Sequence, residues 1–504
     1  MGISRTKNAM LNTAFSLVLQ LTVFAKGLVL LRLIVPAYGS DVNGLIASIL
    51  QFLAYISLIE AGAGAVFRGA LYAPLSRGDM SGVSAMINAQ KRFYRRIGLI
   101  FGGYVAVLCV VYPLVAQTGA DRGYVVSLIL ILSISTFAEY FVSLPYISLI
   151  AADQKIRISH IVSIVYTLAN MAAAVVCVRF GWDVRVLYGI MCLLGMLKPI
   201  FYALYVKKHY PLSRNTPPDR SCLAQRKDGM VHHLAYCVHT GTDAAILTVA
   251  AGTALVSVYN VYGAIVFGIE KLVTSISGGA AAGLGNLIAS GQRDKLDVTV
   301  DRFELVQGAA ATWLYTVTGL MLMPFVRLYT AAMTDISYIR PAFGYVLIAA
   351  EVIFCFRSIY STVSSSANRF KETRRGALLE CAVNLTLSLI LVLTLKKALL
   401  AVAIGTAAGM AARYLWEIVY LSRHLLHRPI AKPLKMLAVS ALGALGGIAV
   451  CRVLLDYAQI GSVWEWVSFG VATALITAAV SAALYWVFYR QTVRALLRML
   501  SGRG

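Results

Sequence analysis

Fourteen stretches of mainly apolar residues, each long enough to cross a bilayer, alternate with short polar segments along this chain. A membrane-spanning helix needs about 20 such residues. The first six run near 9–36, 41–70, 95–117, 123–150, 158–180 and 184–206. The next six run near 232–251, 254–289, 303–329, 338–366, 376–395 and 398–421, and a last pair near 434–455 and 463–488. The stretches at 41–70 and 254–289 exceed one bilayer thickness, so they must tilt, kink or project. Gly62, Gly64 and Gly69 in one, and Gly278, Gly279, Gly283 and Gly285 in the other, give bends and close helix packing a place to occur. The pattern predicts an all-α polytopic membrane protein.

The two six-span blocks resemble each other. Gly69-Ala70-Leu71-Tyr72-Ala73 with Arg77 aligns with Gly285-Asn286-Leu287-Ile288-Ala289 with Arg293. Ala152-Asp153-Gln154-Lys155 with Asn170 aligns with Ser366-Ala367-Asn368-Arg369 with Asn384, and both pairings need a shift of about 215 residues. Six spans is an even number, so the blocks form parallel repeats, an arrangement found in transporters with binding at the repeat interface. The expected organisation is a six-helix bundle at 1–207, a cytoplasmic linker at 208–229, a second bundle at 230–425, and a terminal helix pair with a basic tail at 426–504.

Composition agrees and narrows the class. The 504 residues are 59% hydrophobic and only 13% charged, against about 25% charged in soluble domains. The net charge of +23 would suggest nucleic acid in a soluble protein. Here the basic residues fall mostly between the apolar stretches, where topology and anionic headgroups account for them, and no nucleic-acid partner is expected. Alternate loops hold about thirty Lys and Arg on one side and about eight on the other. The positive-inside rule then places both termini in the cytoplasm, with Lys396-Lys397 the one local exception. The apolar run after Arg5 and Lys7 is too long for a signal peptide and reads as a retained first span. The eight cysteines are scattered without metal or redox spacing. Walker A, H-E-x-x-H and G-x-S-x-G motifs are absent, which disfavours an ATP-driven pump and an enzyme generally. No catalytic residue, metal site or resident cofactor is expected.

Candidate chemistry lies in ionisable residues within the apolar stretches. A charge at the bilayer centre costs at least about 2.5–3.5 kcal/mol, so such residues face one another or a wet interior. Arg32 closes the first stretch, either snorkelling to the interface or facing inward. Glu60, Gly64 and Arg68 share a helix face, as an ion-pair stripe or part of a site. His239 and Asp243 are four apart, so the carboxylate can hold a proton or bridge helices. Glu270 and Lys271 are adjacent and point in different directions; Lys271 is a candidate anion binder. Glu351 and Arg357 are too poorly phased for a local bridge, and Arg357 offers a planar fork to phosphate. Lys26, Lys198, Arg413, Glu139, Glu380 and Glu417 are further isolated charges.

Arg32 through Leu45 resembles the segment linking the first two spans of polysaccharide and O-antigen flippases, in the multidrug/oligosaccharidyl-lipid/polysaccharide exporter superfamily. Ile59-Glu60-Ala61-Gly62-Ala63-Gly64, Tyr72 through Asp79, the turn Ile150 through Lys155, and Asp243-Ala244-Ala245-Ile246-Leu247 with Val256 through Tyr262 continue the resemblance in order to about residue 425. The aspartate- and arginine-rich early motifs of the lipid II flippase are missing. The resemblance implies flipping of an undecaprenyl-pyrophosphate-linked oligosaccharide across a bacterial plasma (inner) membrane by alternating access, for surface polysaccharide synthesis. Arg32, Arg68, Lys271 and Arg357 would then form a cationic substrate cavity. Glu60, Asp243, Glu270 and His239 would balance charge or couple to H⁺ or Na⁺. Expected partners are the polyprenyl-pyrophosphate-linked glycan, membrane lipids, and a polysaccharide polymerase or glycosyltransferases. Rival readings are a cation-coupled multidrug exporter of the same fold, a lipid II or sporulation-type flippase, and a non-transporting assembly scaffold.

Overall fold

An apolar segment in lipid must satisfy every backbone N–H and C=O internally, and helices do so within one segment. The computed structural model describes the backbone of residues 5–60, 63–213, 215–219, 227–395 and 397–500, and no strand occurs among them. Among the described residues seventeen α-helices follow in order. They are α1 (Arg5–Tyr38), α2 (Ser40–Ala54), α3 (Ser57–Glu60), α4 (Ala63–Arg77), α5 (Met80–Val115), α6 (Arg122–Ala138), α7 (Leu144–Ala152), α8 (Arg157–Arg179) and α9 (Val184–His209). Then come α10 (Lys227–Ala250), α11 (Thr253–Ala289), α12 (Arg293–Tyr329), α13 (Pro341–Ser366), α14 (Phe370–Leu395), α15 (Ala398–His424), α16 (Ala431–Leu454) and α17 (Val463–Leu500). Among the described residues, thirteen spans are long and apolar enough to cross a membrane, and α10 adds the shorter apolar run Gly241–Ala250. The chain is an integral membrane protein.

Three local outcomes depart from the apolar pattern. α5 and α12 begin at Met80 and Arg293, well before the expected 95 and 303. Their first turns are polar but helix-compatible, and a hydropathy reading sees only the apolar part. The Asp79 side chain accepts from Gly82 N at 2.9 Å and starts α5 there. The long 41–70 stretch breaks into α2, α3 and α4, with Tyr55 N bonding Phe52 O at 3.1 Å where α2 ends. Its counterpart α11 stays one helix of 37 residues. A π-helical segment, Glu139–Ser143, interrupts the fourth span between α6 and α7.

The backbone carries the repeat more sharply than the sequence does. Left-handed residues Gly39, Gly78 and Gln154 (φ 89°, 69° and 58°) recur as Gly252, Gly291 and Asn368 (φ 94°, 67° and 53°), 213, 213 and 214 residues on. The Asp153–Lys155 turn and its partner therefore align as the sequence suggests. The Gly69/Gly285 pairing is three residues too long, close to one helical turn. Small residues recurring once per turn make such a slip invisible in sequence.

The chain packs as two compact units. The first holds Met1–Cys237 and the hairpin Leu247–Asn260; the second holds Val238–Ile246 and Val261–Gly504. Within the first unit the hairpin is bonded to α2 and the loop after α5. Gln117 N donates to Thr248 O at 3.1 Å and Thr253 N to Gln117 O at 3.0 Å. Asn43 Nδ2 donates to Ser257 Oγ at 2.7 Å, and Asp41 accepts from Thr118, Gly119 N and Thr253. So the ends of α10 and α11, expected wholly in the second bundle, pack in the first unit. Within the second unit α16 and α17 close on α12. Gly447 sits between Thr316 and Thr477, and the Tyr485 hydroxyl meets Ser440 at 2.7 Å and Thr312 at 3.0 Å.

Candidate functional site

The second unit concentrates charge in the middle of its helices. Two glycines of α15 bring it close to α14. A Cβ on Gly405 would overlap Ser388 Oγ, and one on Gly409 would lie 2.9 Å from Glu380 O. That close seam, the small-residue packing of membrane helices, sets Arg413 of α15 between two carboxylates. Its Nη1 donates to Glu380 of α14 at 2.6 Å and its Nε to Glu417 one turn on at 2.8 Å. Glu417 also accepts from Ser361 of α13 at 2.9 Å, and Arg357 Nη1 donates to Ser361 at 3.1 Å. All of these are buried except Ser361.

Arg357 differs from Arg413. It forms no ion pair among the described residues, and its Nε has no hydrogen-bond acceptor there. Its guanidinium carbon lies 4.6 Å from the Phe354 ring centre. The charges of Glu270, Arg357, Asp243 and Glu380 all act on buried Glu351. Asp243 ends a second chain of bonds: it accepts from Thr406 of α15 at 3.0 Å, Thr406 from Asn384 of α14 at 2.8 Å, and Thr242 reaches Asn384 Oδ1 at 3.4 Å. Among the described residues no group of three or more His, Cys, Asp or Glu is placed to hold a metal ion.

The remaining expected site residues fall as follows. Glu270 is half-buried and accepts from Thr274 at 3.3 Å, while Lys271 is exposed. The charges of Lys271 and Arg357 both act on Glu270, so these three sit in one region of the second unit. The side chain of His239 lies outside the described residues. Arg32, on α1, and Arg68, on α4, are exposed and belong to the first unit. Glu60 is half-buried and accepts from Tyr94 at 3.2 Å and Tyr140 at 3.5 Å; Arg68 acts on the same Tyr94 hydroxyl.

Two clusters escaped the sequence reading. Glu380, Arg413 and Glu417 read as isolated charges, although the four-residue spacing of Arg413 and Glu417 was the available signal. Arg428, counted only as a topology-setting residue, is buried. It bonds Asp301 at 2.9 Å, Tyr360 at 2.8 Å and Glu304, while Lys432 holds Asp301 at 2.8 Å. This staple ties the loop between α15 and α16 to α12 and α13. The turn Asp153-Gln154-Lys155 is likewise structural: Asp153 binds Lys155 at 2.7 Å and Tyr210 at 2.6 Å.

No family model matches the chain, and no curated protein matches it. Solved structures do. The lipid II flippase MurJ in an inward closed conformation aligns with a TM-score of 0.70 at 15% identity, over 96% of this chain and 100% of that one. A multidrug resistance MATE family transporter of the MOP superfamily, inward-facing, aligns at 0.65 and 15% identity, over 82% and 98%. The MATE multidrug transporter DinF-BH, in a ligand complex, aligns at 0.59 and 16%, over 82% and 95%. The chain shares the fold of these structures. The flippase structure thus aligns with more of this chain than the two multidrug transporters do.

Proposed function

We propose that this protein flips a polyprenyl-pyrophosphate-linked oligosaccharide across a bacterial plasma membrane by alternating access, both termini cytoplasmic, for surface polysaccharide assembly. Its partners on this reading are the lipid-linked glycan, the surrounding lipids and the polymerase or glycosyltransferases that act on the glycan. The observation that carries the reading is Arg357: a guanidinium buried in a membrane span, with no ion pair among the described residues and Nε lacking an acceptor there. A buried charge needs a partner, and an oxyanion presented by the substrate matches its planar fork. Lys271 lies in the same region; Arg32 and Arg68 belong to the first unit and are on this reading its own substrate-facing cations. A cavity of about 380 Å³ between α12, α13 and α16, lined largely by apolar groups such as Leu320, Ile348, Val352 and Phe356, suits a segment of prenyl chain.

The carboxylates supply the coupling on this reading. Asp243, Glu270 and Glu351 exceed what Arg357 neutralises, and protons or Na⁺ make up the difference in one phase of the cycle; His239 is placed by sequence to take part. The test is glycan export by the full chain. Arg357→Ala with Lys271→Ala should abolish export while leaving folded protein in the membrane, and normal export in that double variant ends the assignment.

One observation favours a second reading, cation-coupled multidrug export. Asp243, Glu270, Glu351, Glu380 and Glu417 outnumber Lys271, Arg357 and Arg413 in the second unit, and an acidic interior attracts organic cations. Efflux of a cationic dye that depends on Glu351 and is indifferent to Arg357 selects that reading.

A further inference from the structure

We infer that the first unit holds an oxyanion-binding site at mid-membrane, formed by Lys26, Lys198 and Tyr166. Lys26 is the central residue of the span Ala14–Tyr38. Glu139, Tyr166 and Lys198 lie within two residues of the midpoints of Arg122–Ala152, Arg157–Arg179 and Val184–His209. Four different spans thus bring ionisable or phenolic groups to the same depth, where an exposed charge is most costly.

The groups converge. Lys198 Nζ lies 4.5 Å from the centre of the Tyr166 ring and Lys26 Nζ lies 5.8 Å from it, both within cation–π range. The charge of Lys198 acts on Lys26. Lys198 also donates to Glu139 at 3.3 Å. Lys26 has no hydrogen-bond acceptor or carboxylate partner among the described residues. Two ammonium groups against one carboxylate leave one positive charge over, in apolar surroundings.

Two further features point to a ligand. Asn170, one turn beyond Tyr166 on α8, is 1% exposed, yet its Oδ1 has no partner among the described residues, while its amide serves the Tyr166 hydroxyl. Glu139 opens the π-helical segment, a backbone irregularity frequent at functional sites. The cluster is not sealed among the helices: the Glu139 side chain keeps 45% of its exposure and that of Lys198 keeps 20%. An oxyanion here would take hydrogen bonds from both lysines and leave Glu139 to orient Lys198. The site rests on the substrate reading above for its physiological ligand, which is either the pyrophosphate of a lipid carrier or the carboxylate of an acidic sugar.

The test uses the full-length protein in lipid nanodiscs. Reductive dimethylation of lysines is followed by mass spectrometry with and without farnesyl diphosphate, and separately with glucuronate. Protection of both Lys26 and Lys198 by either probe supports the site and identifies the source of the oxyanion. Unchanged labelling of both lysines with both probes overturns it. This measurement needs no variant. In direct titration with the protecting probe, Lys26→Gln and Lys198→Gln should each weaken binding about tenfold, the loss of one charge-assisted hydrogen bond. The double variant should lose about a hundredfold, and Lys26→Arg should retain affinity. Wild-type affinity in the double variant overturns the site. Normal glycan export by that double variant, with unprotected lysines, removes the site and leaves the substrate reading intact. Protected lysines in a chain that exports no glycan remove the substrate reading and leave the site.

Discussion

Removing Arg413 tests whether the interior of the second unit is held together by charge. The guanidinium is 8% exposed and its two carboxylates 2% and 1%, with contacts of 2.6 and 2.8 Å. Replacement by Ala leaves Glu380 and Glu417 facing a void with no cation between them, and each must be protonated or hydrated. Removing one partner of a buried pair costs about 3–5 kcal/mol, and here one arginine serves two partners, so Arg413→Ala belongs at the upper end. Arg413→Lys keeps the charge but cannot reach both acids with one ammonium. It should recover about half of the loss. The triple variant Arg413→Met, Glu380→Gln, Glu417→Gln removes all three charges, and a well-packed neutral replacement is often neutral or stabilising by about 1–4 kcal/mol. The assay is denaturant titration of the full chain in mixed micelles, followed by the fluorescence of its six tryptophans, with exposed Arg374→Ala as the reference. The reasoning is refuted if Arg413→Ala costs no more than Arg374→Ala, or if the triple variant is less stable than Arg413→Ala alone.

Gly405→Ala drives a methyl into Ser388 Oγ and should cost about 1–3 kcal/mol by overpacking, with the loss read as a lower midpoint in the same titration. Gly44→Ala collides with the Thr253 carbonyl and should loosen the 247–260 hairpin from α2; faster thiol labelling of a cysteine placed at Ser257 reports it, and an unchanged rate contradicts the packing described. Asp243→Asn keeps a hydrogen bond to Thr406 but removes the charge, so export should lose its dependence on pH or Na⁺ while the midpoint moves by less than about 1 kcal/mol. At the start of α9, Arg185 of the first turn holds the carboxyl of the capping Asp183 below its usual value, so this cap contributes fully above the unfolded carboxylate range near pH 3.9 and is lost only as pH falls through the lower folded value. Amide exchange in the first turn of α9 should therefore stay slow at pH 4 in the native chain and quicken in Asp183→Ala.

Helical class, the internal repeat and thirteen of the fourteen expected spans were legible because each is a property of composition and period along one chain; the expected span at 232–251 shows among the described residues only the shorter apolar run Gly241–Ala250. Helix ends were less so: the polar starts of α5 and α12 carry no hydropathy signal, and the break after α2 is made by local turn bonds. The charge network was legible only in fragments. Arg413 and Glu417 share a face by spacing, but their third member, Glu380, comes from α14. Its approach is decided by Gly405 and Gly409, whose lack of a side chain names no neighbour. Arg357 stood out as an intramembrane arginine, yet nothing in sequence said that Arg413, not Arg357, would take the acids. Lys26 and Lys198 looked isolated for the same reason: they are 172 positions apart, and an aromatic ring joins them.

The repeat gives these charges a common logic. At the spacing fixed by the left-handed turns, Lys26 corresponds to His239, Tyr166 to Glu380, and Lys198 and Glu139 fall within two positions of Arg413 and Glu351. Equivalent positions in the two units therefore carry ionisable groups in both: Lys198 and Arg413 are both positive and Glu139 and Glu351 both negative, and the net charge of the two sets differs because His239 stands in place of Lys26 and Glu380 in place of Tyr166. Where the first unit has a tyrosine between two lysines, the second has a glutamate beside an arginine. The first unit's set carries two lysines against one acid, and the second unit's set is rich in carboxylates. A duplicated scaffold bearing two such sites can divide labour in a way that one symmetric site cannot: an excess of positive charge suits an anionic group, and an excess of carboxylates suits a cation. On this argument Lys26→Gln and Glu351→Gln should fail differently. The first should weaken binding of diphosphate with coupling intact, and the second should uncouple transport from the cation gradient with diphosphate binding intact. The same defect in both would mean that the two units share one site chemistry and that the difference in net charge is incidental.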